Sequence, residues 1–270
     1  MADKNRFGLS EKIALIAGGA QGLGFEIAQD LSQEGMRVCL ADIQKEKGEE
    51  AAGQIRKDGG DADFFHVDLG SSDSVAGMVA RVAEKYKQID LLLNNAKAGA
   101  GSSAEEMSLE EWNRSMDITL SGSFYCSREV IPIMARAGGG CIVNVSSVAS
   151  TKICNEMTGY HVAKAGVSHL TRHLALWAGP KGIRVNDISP GFIIKKENIA
   201  RYEADEKWKK RWEWCHPLRR AGYSRDLSNA VLFLASDFSS FITGQNLVID
   251  GGLSFSEPGN LLTRFTKENL

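Results

Sequence analysis

The sequence predicts a doubly wound α/β fold, a sheet of parallel strands with helices on both faces. Three observations predict it. Short β-branched apolar runs alternate with longer stretches of helical periodicity. Several of those runs are apolar on both faces, and the first ends in a glycine-rich turn that leads straight into a helix.

The runs, in chain order, are Ile13 to Ala17, Val38 to Ala41, Phe64 to Val67, Leu91 to Leu93, Cys141 to Val145, Val185 to Ile188 and Leu247 to Ile249. Each is too short for a helix, and continuous apolar character suits a strand covered on both sides. Between them, Gly22 to Glu34 sets Leu23, Ile27, Ala28 and Leu31 at helical spacing. Ser71 to Tyr86 opens on a Ser-Ser-Asp cluster suited to capping and carries Val75, Met78, Val79 and Val82 on one face. Phe124 to Met134 is another apolar stretch, and Tyr160 to Trp177 places Val167, Leu170, Leu174 and Trp177 on one stripe. With five prolines and no low-complexity linker, residues 1–270 read as a single domain.

Composition excludes several classes. Hydrophobic residues at 43% and charged residues at 24% are those of a globular chain, not a disordered, collagenous or coiled-coil one. No stretch of about 18 apolar residues is present, so no membrane span is expected. Thirty-two basic side chains against 34 acidic ones leave a net charge of -2, which argues against nucleic acid as a partner. Five cysteines (Cys39, Cys126, Cys141, Cys154, Cys215) are odd in number and form no C-x-x-C pair. They fit a reducing, cytoplasmic setting without structural zinc. The opening Met1-Ala-Asp-Lys-Asn-Arg6 has no apolar h-region, so secretion is not expected.

The first run ends in Ala17-Gly-Gly-Ala-Gln-Gly-Leu-Gly24. Glycines there let the backbone turn tightly and approach a pyrophosphate, whose charge the following helix N-terminus stabilises. The spacing G-x-x-x-G-x-G (Gly18, Gly22, Gly24) differs from the G-x-G-x-x-G fingerprint, and such a turn can also be purely structural. The second run ends in Asp42, where an acid accepts both adenosine ribose hydroxyls and repels a 2′-phosphate. Gln21 leaves the turn without a cation for that phosphate. Together these features favour NAD(H) over NADP(H); a solvated strand-end carboxylate is the plainer account of Asp42.

Tyr160 and Lys164 lie at i and i+4 of a helical stretch, so they share a face. A lysine ammonium beside a phenol stabilises phenolate and lowers its pKa from about 10 toward working pH. That combination suits a general acid or base for an alcohol–ketone pair, although Y-x-x-x-K also occurs as an ordinary exposed helix pair. Ser146-Ser147 follows the run Cys141 to Val145, at the carboxyl end of a parallel strand, where ligands bind. A serine hydroxyl there either meets a substrate oxygen or forms a turn.

With these residues in view, the chain resembles the short-chain dehydrogenase/reductase family over nearly all of residues 9–252. Ala17-Gly18 through Gly22-Leu23-Gly24 matches T-G-x-x-x-G-I/L-G, Asp68-Leu69 matches the acid that meets adenine, and Asn94-Asn95-Ala96 matches most of N-N-A-G. Ser147, Tyr160 and Lys164 fall at the catalytic spacing; Ser189-Pro190-Gly191 with Ile193 matches the segment against the nicotinamide. Ile242-Thr-Gly-Gln through Asp250-Gly-Gly252 matches the usual close.

The resemblance implies a Rossmann-like sheet of seven parallel strands and hydride transfer between NAD(H) and an alcohol or carbonyl. Tyr160 would be the acid/base and Ser147 would position the substrate oxygen. Lys164 would bind the nicotinamide ribose and lower the tyrosine pKa. Gly18, Gln21, Gly22, Leu23, Gly24, Asp42, Ile43, Asp68, Leu69, Asn95, Ala96, Pro190, Gly191 and Ile193 would line the cofactor with Tyr160 and Lys164. It also implies a homodimer or homotetramer built on helix pairs.

Four positions depart from the family pattern. Thr119 stands where the catalytic Asn normally orders a water that links the lysine to solvent, so the proton relay would rest on a threonine hydroxyl. Lys97 replaces the glycine of N-N-A-G and brings a cation to the crevice; Ala17 replaces the leading Thr. Lys195 takes the place after Pro-Gly where a Thr commonly meets the carboxamide.

The stretch at about 192–222 is the family's variable substrate lid. Residues 195–225 hold ten Lys and Arg against five Asp and Glu, so a local +5 sits in a chain whose remainder sums to -7. The plainer reading is a solvated amphipathic helix whose Trp208 and Trp212 pack on the body. The sharper one is a lid whose cations, with Lys97 and Lys195, meet an anionic substrate while Trp208 or Trp212 stacks on a sugar or ring. The tail at 253–270, with Leu261, Leu262 and Phe265, either covers a partner's site or is mobile.

No G-x-S-x-G elbow and no Walker P-loop is present, and His169 and His173, lacking a nearby acidic ligand, read as surface or packing residues instead of a metal site. The expectation is an NAD(H)-dependent oxidoreductase interconverting a secondary alcohol and a ketone on a small, polar, carbohydrate-like substrate, an anionic one among the candidates. The alternatives are a reductase of 3-oxoacyl thioesters or other hydrophobic ketones, and a catalytically weak nucleotide-binding sensor or scaffold.

Overall fold

Alternate side chains of the first strand, β1 (Ile13–Ala17), enter two separate cores: Ala14 and Ile16 one, Ile13, Leu15 and Ala17 the other. This period of two is that of a strand covered on both faces. The computed structural model describes residues 6–99, 102–153, 157–257 and 266. Cys154 and the tail residues Leu261, Leu262 and Phe265 lie outside the described residues.

After β1 come α1 (Gly22–Gln33), β2 (Arg37–Asp42), α2 (Lys45–Lys57), β3 (Asp61–His66), α3 (Ser72–Tyr86) and β4 (Leu91–Asn94). The chain continues through α4 (Leu109–Ser115), a π-helical turn (Met116–Ser121), α5 (Gly122–Arg136), β5 (Gly140–Val145), α6 (Thr158–Ala178) and β6 (Ile183–Pro190). Then follow β7 (Ile193–Ile194), α7 (Ile199–Ala204), α8 (Glu206–Cys215), β8 (Gly222–Tyr223), α9 (Ser224–Ala235) and β9 (Asn246–Ile249). Seven strands form one parallel sheet in the order β3-β2-β1-β4-β5-β6-β9, the Rossmann-like arrangement expected. Helices α1, α2 and α9 cover one face; α3, α5 and α6 cover the other.

This order positions the site. The chain runs outward from β1 to β3, then returns to lay β4 against the other side of β1, with Ala17 in register with both Ala41 and Asn94. The switch point opens a crevice at the carboxyl ends of these strands, where open α/β sheets bind ligands.

Each apolar run is a strand, with shifted ends. β3 starts at Asp61, ahead of the predicted Phe64, because Asp61 pairs in register with Arg37 and its carboxylate lies 3.4 Å from that guanidinium. The Ser71 hydroxyl accepts the Ser74 N–H at 3.3 Å and caps α3, as its cluster predicted. On α6, Val167 is buried but Trp177 is 71% exposed beside Leu176 at 73%, so the predicted stripe does not end in the core. The π-helical turn between α4 and α5 was not foreseen; it buries Thr119 completely. Such turns recur at functional sites.

Beyond β6, the short parallel pair β7–β8 clasps a small core of its own, in which Ile194, Tyr202 and Ala221 meet Phe192, Trp208, Trp212 and Tyr223. Among the described residues, no helix is long and apolar enough to cross a membrane.

Candidate active site

The glycine turn is held by its own backbone. Gly18 and Gly19 donate N–H groups to the Ala41 carbonyl at 2.8 and 3.3 Å, which ties the end of β1 to β2. A Cβ at Gly24 would fall 2.1 Å from the Gly18 carbonyl oxygen and 2.5 Å from Asn95 Nδ2, and Asn95 itself donates to that carbonyl at 2.8 Å. Gly24 is therefore required by close approach of backbone to backbone. Gly18, at φ +83°, has Ala96 packed against it. Gly22, at φ +55°, faces open space up to the Lys195 side chain, 3.8 Å from where its Cβ would lie. Gln21 offers no side-chain cap to α1, and the first turn of that helix holds no acid, so its backbone N–H groups are left to an anion. Leu23 packs behind the turn in the core. These residues fit the pyrophosphate of a dinucleotide.

Asp42, 8% exposed, accepts the Ala20 N–H at 3.2 Å and the Gln44 N–H at 3.1 Å, so it braces the turn from the end of β2. Ile43 beside it is 59% exposed, open to an adenine ring. Asp68 accepts the Gly70 N–H at 2.9 Å, and Leu69 is buried. Pro190 closes β6, and Gly191 donates to the Ile249 carbonyl at 3.0 Å; Ile193 packs on the core. One residue escaped the sequence reading: Lys47 Nζ donates to Gln21 Oε1 at 2.9 Å and brings a cation to the turn's outer edge. Its signal was legible only as the second lysine of a polar helix.

Ser147, Tyr160 and Lys164 come together as their spacing implied. Ser147 Oγ accepts the Ala149 N–H at 3.1 Å just past β5 and also hydrogen-bonds the Tyr160 side chain. Lys164, 2% exposed, donates to the Val145 carbonyl, and its Nζ lies 5.7 Å from the Tyr160 ring centroid. The expected lowering of Tyr160 is reversed: burial holds its phenol above the ordinary value, and the Ser147 hydrogen bond offsets only part of that. Lys164 is pushed down to about 7 by burial, then by repulsion from Lys97, with Asp187 pulling the other way.

Lys97, which the sequence places at the crevice, sets its Nζ 5.5 Å from the Tyr160 centroid. Desolvation lowers its pKa, and Lys195 repels it further. Thr119 supports this strip, accepting the Ala98 N–H at 3.0 Å and donating to the Ala98 carbonyl at 3.3 Å. Its own carbonyl accepts Ser123 Oγ at 2.7 Å.

A buried polar network lies beneath. Asp187 accepts from Ser168 Oγ at 2.9 Å and Asn246 Nδ2 at 2.6 Å, and Ser168 Oγ lies 2.7 Å from Ser146 Oγ, next to Ser147. Burial lifts the Asp187 carboxyl to about 6. No sequence motif marked Asp187, because its meaning comes from packing between β6, α6 and β9.

The basic stretch after β7 spends much of its charge internally. Lys209 pairs with Glu203 at 2.6 Å, Arg220 with Asp226 at 2.7 Å and Arg225 with Asp30 at 2.5 Å. Arg201 and Arg211 lie 5.6 and 5.7 Å from the Trp208 and Trp212 ring centroids. Trp212 stacks on Phe192 at 3.6 Å and 8°, and Trp208 sets its edge to Phe192 and Tyr202. The chain's own aromatics are thus partners of both rings, while Trp208 and Trp212 each stay partly exposed. A cavity of about 650 Å³ between Phe192, Pro217, Val248 and Phe255 is lined by none of Ser147, Tyr160 and Lys164. His169 and His173 meet ring to ring at 5.2 Å.

A family model described as enoyl-(acyl carrier protein) reductase matches residues 18–254. An uncharacterized oxidoreductase of Bacillus subtilis, YxbG, is 36% identical over 261 residues, covering 94% of this chain and 95% of that protein. The chain belongs to the short-chain dehydrogenase/reductase family. Within this family, trans-4-hydroxycyclohexanecarboxylate dehydrogenase of Sinomonas cyclohexanicum is 37% identical over 250 residues, covering 90% of this chain and 93% of its own. The gluconate 5-dehydrogenase of Burkholderia cenocepacia, solved with NADP and tartrate, superposes with a TM-score of 0.86 at 29% identity over 94% of this chain and 99% of its own. This chain is accordingly an oxidoreductase of the short-chain family.

Proposed function

We propose that this short-chain dehydrogenase/reductase uses NAD(H) to interconvert a secondary alcohol and a ketone on a polar, carbohydrate-like substrate carrying an anionic group. The observation that carries the reading is the convergence of Ser147, Tyr160 and Lys164 beside the glycine turn. When bound, the nicotinamide supplies or accepts the hydride. In the oxidative direction, Tyr160 takes the hydroxyl proton while Ser147 holds the substrate oxygen by a hydrogen bond. Lys164, freed from the Val145 carbonyl, holds the nicotinamide ribose and compensates the phenolate. Asp42 favours NAD(H) by repelling a 2′-phosphate, although one structural relative was solved with NADP. The anionic group is supported by Lys97 and Lys195, and by two relatives whose names specify gluconate and a hydroxycyclohexanecarboxylate.

Residues 192–222 act as the lid of a single catalytic unit. We place the enzyme in the cytoplasm as a homodimer or homotetramer, for which Leu176 and Trp177 offer exposed apolar surface. The competing reading, a reductase of hydrophobic ketones or 3-oxoacyl thioesters, draws support from the apolar cavity around Phe192 and Phe255. A panel of polar, anionic and acyl substrates followed by NADH absorbance separates the two. Tyr160→Phe tests the mechanism: turnover is expected to drop at least about 100-fold with NADH affinity within about threefold. Full activity in that variant would refute the mechanism, and absence of turnover on every substrate would leave the sensor reading in its place.

A further inference from the structure

Lys195, Lys97 and Lys164 form a row of amines from the glycine turn to Tyr160. Lys195 lies over Gly22, its Nζ 3.8 Å from where a Cβ there would sit, so it faces the cradle for the cofactor phosphates. Lys97 and Lys164 both place Nζ within 6 Å of the Tyr160 ring centroid. Among the described residues, no ion pair joins a carboxylate to any of the three. Lys195 repels Lys97, and Lys97 in turn repels Lys164.

The backbone that follows Lys97 is held in place. Ala98 is clamped by Thr119 on both backbone polar groups, and a Cβ at Gly99 would stand 3.1 Å from Tyr160 Cβ. An exposed amine on a clamped stretch of backbone, without a carboxylate paired to it, is a receptor for an anion through charge-assisted hydrogen bonds.

We infer that Lys97 receives an anionic group of the substrate, and that filling it restores the positive charge of Lys164 beside Tyr160, so that an anionic substrate completes the acid/base centre. Pairing at Lys97 removes the repulsion that adds to burial in discharging Lys164. The restored ammonium then compensates the phenolate that Tyr160 forms on passing its proton to the carbonyl oxygen. This rests on Tyr160 being the acid/base. The charged groups around Lys164 are Lys97 from the loop after β4, Asp187 from β6 and Tyr160 on its own helix, while Lys195 acts through Lys97. The first of these is the one that a ligand can neutralise.

Malonate, a non-reacting dicarboxylate, is the probe. Lysine 13Cε resonances are followed against pH, Lys164 being assigned with Lys164→Arg. In the wild type the Lys164 midpoint, near 7 without ligand, should rise by about one pH unit at saturating malonate. In Lys97→Met it should already be raised and should ignore malonate; in Lys97→Arg it should behave as wild type. A midpoint that malonate leaves in place, or moves equally in Lys97→Met, overturns the inference. Kinetics supply the second arm: Lys97→Met should lower kcat/KM for a hydroxy acid about 30-fold and that for a neutral cyclic alcohol less than about threefold. Equal losses on both substrates would also overturn it. The titration needs no turnover, so a failure of the Tyr160 mechanism shows separately in Tyr160→Phe.

Discussion

The Thr119 hydroxyl closes on Ala98 in both directions, accepting its N–H at 3.0 Å and donating to its carbonyl at 3.3 Å. One small side chain in a π-helical turn thereby fixes the strip that carries Lys97 past Tyr160. The family pattern places an Asn here, yet in this chain the position serves first as a backbone clamp.

Thr119→Val keeps the shape and removes both bonds, leaving a buried N–H and a carbonyl unpaired. A loss of about 2 kcal/mol in urea unfolding is expected, while Thr119→Ser should retain most of the stability. Equal stability of the valine variant would show that water replaces the hydroxyl.

Asp42 accepts N–H groups from Ala20 and Gln44, so its carboxylate both braces the turn and sets the charge where the adenosine ribose would lie. Asp42→Ala is expected to weaken NADH about tenfold, as a charged hydrogen-bond partner is lost, and to tighten NADPH. Adding Lys47→Met should reverse the NADPH gain, because Lys47, held on Gln21, is the cation then left to a 2′-phosphate. Fluorescence titration with both cofactors checks this, and tighter NADPH binding by the wild type would refute the NAD(H) assignment.

Asp187 gives stability a pH signature. Its carboxyl sits near 6 in the fold against an ordinary 3.8, chiefly through burial, so the folded state binds the proton more tightly. The resulting stabilisation is complete below about pH 4 and is lost as pH rises through about 6. Asp187→Asn should abolish that loss, so wild type should lose on the order of 2 kcal/mol relative to the variant between about pH 4 and about pH 6.5. Lys164, depressed to about 7, acts in the opposite direction and only at higher pH, so the acidic window isolates Asp187. A constant difference between the two proteins across that window would assign the proton elsewhere.

Much of the fold was legible because its signals are local. Alternation within β1 and the capping serine of α3 express periodicity and hydrogen bonding over a few residues. The same holds for Gly24, whose need for bare backbone follows from a turn that folds on itself. The exposed Trp177 shows the limit, since its helical spacing matched the buried stripe but its neighbours across space did not.

By itself the sequence determined the parallel sheet, the glycine turn with Asp42, and the spacing that joins Ser147, Tyr160 and Lys164, all of which depend on periodicity and strand ends. Tertiary structure alone decided the electrostatics. It turned Tyr160 upward and Lys164 downward by burial, set Lys97 against Tyr160, and paired Lys209, Arg220 and Arg225 with Glu203, Asp226 and Asp30. Charge is a property of distance and solvent exposure, and segments far apart in the chain acquire both only when the sheet brings them together.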